Sequence, residues 1–173
     1  MKAGSVIGIV AVAFALLAYA VQGAATSFWT TLTAWLDFAV FVGLIYAFSR
    51  RMCRMADPQA GFSYGRSVGF VFASMIFAGI ILGVYTTVMN NFVAPELVTE
   101  QLDRVMAAYQ DMLPADQFDG FYSMTRRMMF NPIMLVLSSV FGLCIKGGLV
   151  GLMTSIFTRR EADPFAGGGT AEE

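Results

Sequence analysis

Histidine is missing from this 173-residue sequence, and charge is scarce, with Asp, Glu, Lys and Arg together at 13%. Without histidine the chain lacks both the commonest general acid/base and the commonest transition-metal ligand. Cysteine is almost absent too. Cys53 and Cys144 stand far apart and form no CxxC or zinc-type spacing. No HExxH and no pair of intramembrane aspartates occurs, and without histidine a serine lacks its usual base, so the residues carry no enzyme signature, no cofactor motif and no metal site. The formal net charge of −1 offers no basic excess to a nucleic-acid backbone.

What is abundant is apolar: 57% of the residues are hydrophobic. A soluble domain draws about a quarter of its residues from the four charged types. Half that share cannot solvate a globular surface, and the charges present are clustered. A hydrocarbon layer of ~30 Å needs about 20 helical residues to cross. Four runs reach that length, at about 4–23, 28–49, 67–92 and 132–157. The reading is an all-α integral membrane protein with four transmembrane helices. The first run also has features of a secretory signal, a basic start at Lys2 and the "AYA" of Ala18 to Ala20. Retention is preferred because the apolar character continues through Val21 and the second run follows almost at once.

Lys and Arg stay on the cytoplasmic side of a membrane. Lys2, Arg50, Arg51, Arg54, Arg66, Arg159 and Arg160 all fall at one end of the four runs. The segment 94–131 carries Arg104, Arg126 and Arg127 against Glu96, Glu100, Asp103, Asp111, Asp116 and Asp119. Both termini are therefore expected in the cytoplasm, with residues 94–131 outside. Within that segment Val98, Leu102, Val105, Tyr109 and Met112 recur at spacings of four and three, as one face of a helix does. After Pro114 the pattern repeats through Phe118, Phe121, Tyr122, Thr125, Met128 and Met129. This predicts an extracytoplasmic amphipathic helical hairpin between the third and fourth spans. Its methionines read as packing residues rather than as a Cu(I) site. The glycine-rich tail 161–173 is expected to be disordered.

Two charges interrupt the spans, Asp37 in the second and Lys146 in the fourth. A lysine at mid-helix costs about 2.5–3.5 kcal/mol to insert, and each Leu, Ile, Phe or Val returns about 0.3–0.6. The fourth run has thirteen such residues and tolerates an unpaired lysine; the second has fewer, so Asp37 has the greater need of a partner. At about 1.5 Å per residue, Asp37 lies roughly 14 Å and Lys146 roughly 21 Å from the outer end. Helix tilt and the lysine stem can close that gap, so an intramembrane ion pair is expected. Such a pair either locks two helices in register or serves a proton or solute pathway. The fourth run also holds Gly142, Gly147, Gly148 and Gly151, the best candidate for a close helix-packing seam.

The stretches "GFSYGRSVGFVF" and "VAPEL", and the last run ending "FTRRE", resemble a family of small four-pass inner-membrane proteins of Bacteroidota known only as a domain of unknown function. The resemblance extends to about Arg160. It implies the location and the four-helix layout, and no activity, substrate or site residue. The functional expectation is a non-enzymatic structural or accessory subunit whose partners are the bilayer and either its own copies or a larger complex. The alternative is a small transporter or channel component using Asp37 and Lys146.

Overall fold

A long apolar run can satisfy its own backbone away from water only by coiling into a helix. The computed structural model describes residues 2–22, 27–56, 63–110 and 114–158. Among these residues the chain forms six α-helices and no strand. They are α1 (Lys2–Gln22), α2 (Ser27–Met55), α3 (Tyr64–Val88), α4 (Pro95–Tyr109), α5 (Ala115–Phe130) and α6 (Pro132–Thr158). A π-helical turn, Met89–Val93, runs on from α3. α1, α2, α3 with its π turn, and α6 are each long and apolar enough to cross a membrane, which makes this a multi-pass membrane protein. The 161–173 tail, Arg159 and Arg160 lie outside the described residues.

Local chemistry sets the helix ends. Ser63 caps α3, its hydroxyl accepting the Arg66 N–H at 3.4 Å. Asn131 does the same for α6, its Oδ1 accepting from the N–H groups of Ile133 at 3.0 Å and Met134 at 3.4 Å. Pro132 and Pro95 occupy first helical positions, where a missing N–H costs nothing. α2 outlasts its apolar run by a turn and a half, because arginine is a good helix former and Arg54 in the last turn complements the dipole.

α3 is the central helix, packed along α6 and against the first half of α1. α3 and α6 are antiparallel and interlock reciprocally. Toward the α4–α5 end the glycines belong to α3: a Cβ on Gly79 would lie 2.5 Å from Val140 Cα, and one on Gly83 would lie 2.6 Å from Val136 Cα. Toward the other end they belong to α6, with Gly147 against Met75, Gly148 against Phe72 and Gly151 against Val71. α1 runs parallel to α3, with Gly4 on Ser74 and Phe77, and Gly8 on Ala78 and Ile81. α2 leans more lightly on α1 and α6, contributing Phe41 and Ile45 to a core shared with Ile7, Met75, Ala78 and Val150.

The expected seam needs one correction, because Gly142 has nothing within 4 Å of where its Cβ would be. It lies five residues before Gly147, roughly 140° around the helix from it, and so is turned away from α3.

Beyond the last glycine the seam continues in hydroxyls, the buried Ser155 Oγ donating to the buried Ser67 Oγ at 2.9 Å. Ser49, on the face of α2 that carries Phe41 and Ile45, is fully buried, and its Oγ has no hydrogen-bond partner among the described residues. An unsatisfied buried hydroxyl costs about 1–3 kcal/mol. Ser49→Ala should therefore leave stability unchanged or raise it by about 1 kcal/mol, read as the midpoint of denaturation in mixed micelles. A clear loss would mean that the hydroxyl is bonded in the folded protein.

α4 and α5 form a helical hairpin at the end of the bundle where α3 finishes and α6 begins. Leu102 and Met106 are buried, whereas Val105 and Tyr109, expected on the same inner face, are exposed. The inner edge follows the four-residue step Leu102–Met106. Tyr109 is used within the hairpin instead, edge-on to Phe121 with ring centroids 6.3 Å apart. Tyr122 Oη donates to Asp103 Oδ1 at 2.8 Å, and Asn90 Nδ2 of the π turn donates to the Met129 carbonyl at 3.1 Å.

The bond to Asp103, helped by slight burial and by the Asp103 charge, raises the Tyr122 pKa above its ordinary 10.0, with Arg126 opposing. A folded-state pKa raised in this way stabilises the hairpin below about pH 10, and that contribution fades as pH climbs through the raised value. The tyrosinate band of Tyr122, isolated by subtracting the Tyr122→Phe spectrum, should appear at higher pH in the wild type than in Asp103→Asn. Equal onsets would show that the carboxylate does not hold the phenol.

Candidate functional site

Asp37 projects from α2 and Lys146 from α6, two helices that run in the same direction. Lys146 Nζ lies 3.0 Å from Asp37 Oδ2, so the lysine stem spans the difference in depth between them. The ammonium also lies 4.7 Å from the centroid of the Phe41 ring and 5.8 Å from that of Phe38. Aromatic faces attract a cation, and more strongly where water is scarce. α2 thus supplies the carboxylate and both rings from one stretch of its surface. Neither phenylalanine was singled out from sequence, although Phe41 stands four residues after Asp37, a spacing that shares a helix face.

The pair is not sealed. The Lys146 side chain is 38% exposed and that of Asp37 33%, and both line a cleft of about 370 Å³ between α1, α2, α3 and α6. The cleft exists because the facing side of α1 is mostly small: Ala11, Ala15 and Ala18 line it, with Ala34 and Thr33 opposite on α2. Thr33 Oγ1 donates to the Trp29 carbonyl at 2.9 Å. One N–H of Lys146 and one oxygen of Asp37 make the bond between them, and an ammonium has three donors and a carboxylate about four acceptor positions. The arrangement can receive a further polar group.

A second, smaller cavity of about 160 Å³ lies toward the hairpin, lined by Tyr19, Tyr85, Thr86, Asn90 and Gln101 among others. Ala15 borders both spaces. Of the other residues selected from sequence, Gly147, Gly148 and Gly151 lie on the α3 interface, away from the cleft. Cys144 packs beside the core and Cys53 is half-buried near the end of α2; both are free thiols.

No curated protein and no solved structure matches the chain. One family does, matching residues 2–160, a stretch that includes all six described helices as well as Asp37 and Lys146, and the chain accordingly belongs to the family described as protein of unknown function (DUF4199).

Proposed function

We propose that this is a non-enzymatic four-pass protein of the bacterial inner membrane, acting as an accessory subunit that docks on a transmembrane helix of a second copy or of a larger assembly. The observation that carries this reading is the exposure of the Asp37–Lys146 pair at the cleft. Charges turned toward lipid at this depth are costly. A helix bearing a hydrogen-bonding side chain, laid between α1 and α2, would remove that cost. The alanines along the rim support close approach of such a helix, since small residues let backbones come together.

The orientation rests on charge. Lys2, Arg50, Arg51, Arg54 and Arg66 gather at one end, and Glu96, Glu100 and Asp103 lie in the hairpin at the other. This supports cytoplasmic termini and an outer hairpin.

A photo-crosslinking residue placed at Ala34 should give a discrete protein adduct in native membranes. The same residue at Leu149, exposed on α6, should give lipid adducts only. Lipid adducts alone at both positions would end the accessory reading.

Transport of a small polar solute is the second reading. It is favoured by the cavity under α4, lined in part by Tyr85, Thr86, Asn90 and Gln101, which shares Ala15 with the cleft. Flux into proteoliposomes that disappears with Asp37→Asn would move the assignment to transport.

A further inference from the structure

The hairpin segment is acidic overall, yet two of its three arginines pair with no acid among the described residues. Arg104 is bonded to Glu100 at 2.6 Å. Arg126 and Arg127, adjacent near the end of α5, make no ion pair with any described residue. They line a surface groove of about 450 Å³ with Tyr122, Ser123 and Phe130. Tyr122 Oη is committed to Asp103, which leaves its ring and that of the half-buried Phe130 as the apolar part of the lining.

Placement along the chain says what this groove meets. α5 stops at Phe130, and after the single residue Asn131 the chain begins the span that starts at Pro132. The polar layer on each side of a hydrocarbon core is about 5–7 Å thick. Arg127 and Arg126 precede Pro132 by five and six residues, at most ~9 Å along a helix, and their long side chains can reach back into that layer. Below them α6 exposes Ile133 and Leu137, an apolar surface of the kind an acyl chain lies against.

From this placement we infer that the Tyr122–Phe130 groove is a binding site for the headgroup of an anionic phospholipid, with Arg126 and Arg127 on its phosphate. Guanidinium forks match phosphate oxygens in geometry and charge. The lipid is the occupant because the unpaired cations, the apolar wall and the start of a membrane span coincide. A soluble phosphate would use only the first of these. The site is independent of the Asp37–Lys146 cleft and of the docking proposed there.

The test uses the full chain in mild detergent, titrated with phosphatidylglycerol, phosphatidylcholine or inorganic phosphate and followed by native mass spectrometry. The wild type should retain phosphatidylglycerol over phosphatidylcholine by roughly tenfold, each arginine near the surface adding to the attraction. Arg126→Gln/Arg127→Gln should abolish that preference, while Arg104→Gln should leave it intact. Arg126→Lys/Arg127→Lys, which keeps the charge, should retain most of it and so separates loss of the site from loss of the fold. Equal retention of the two lipids by the wild type, or an unchanged preference in the double glutamine variant, would overturn the site. Displacement of phosphatidylglycerol by millimolar inorganic phosphate would overturn the lipid as its occupant.

Discussion

Gly79→Val is expected to destabilise the bundle by about 3 kcal/mol, the upper end of what overpacking a well-filled interface costs. The reason is the identity of the atom that the new side chain meets. A Cβ on Gly79 would sit 2.5 Å from Val140 Cα and 3.1 Å from its backbone nitrogen. Backbone cannot rotate aside, so α3 and α6 must separate, and their separation opens the most extensive interface among the described helices. Gly83 is in the same position against Val136. Gly148 is not: its Cβ would meet the tip of the Phe72 ring at 2.9 Å, and a ring can swing. Gly142 has open space and should gain from alanine, since glycine in a helix interior is about 1 kcal/mol worse than alanine. An alanine series should therefore rank Gly79 and Gly83 as most damaging, Gly148 as intermediate and Gly142 as neutral or stabilising. Denaturation midpoints in mixed micelles measure it. A flat series, or one in which Gly142 is the worst position, would show that α3 and α6 do not cross where these glycines place them.

That series also marks how far the fold can be read from the chain. The four spans are legible because insertion depends on length and apolarity, and both are summed along the sequence. Which side of a span meets protein is another matter. α3 is apolar all round, because lipid and protein interior ask for the same residue types, so periodicity gives no direction. Only small residues betray an interface, and they do so without naming the partner. Gly147 and Gly151 pointed to a seam, while Gly142 looked equivalent and faces elsewhere. In the hairpin, where water and interior differ, the apolar period located both helices. It misjudged which residues are buried: Val105 and Tyr109 of α4 and Phe121 and Met128 of α5 are exposed, and Tyr109 turns to Phe121. The charged pair stood out because a charge in an apolar run is rare. The cleft beside it did not, since it is made of alanines, the least conspicuous residues in such a run. Ser67 and Ser155 illustrate the same limit: each is an ordinary hydroxyl until the register that sets Val71 against Gly151 also sets the two serines together.

Removing one partner of a fully buried ion pair costs about 3–5 kcal/mol, because the other is left without compensation. Asp37 and Lys146 are each about one-third exposed, so the loss should be smaller, about 2 kcal/mol for either Asp37→Asn or Lys146→Met. The two are not equivalent. Without Asp37 the ammonium still lies over the Phe41 and Phe38 rings, whose negative faces suit a cation. Without Lys146 the carboxylate is left near those same faces, which repel it. Lys146→Met should therefore be the more damaging change. Asp37→Asn/Lys146→Met leaves no orphaned charge and should cost less than the sum of the single changes, with a coupling of about 1–2 kcal/mol. Measured from the micelle-inserted denatured state, this cycle isolates the contact from the insertion cost of each residue. If the single effects simply add, α2 and α6 are not held together through these side chains. The exposure argument for a helix docked in the cleft would then lose its footing, because charges that do not bind each other have no reason to wait jointly for a third group.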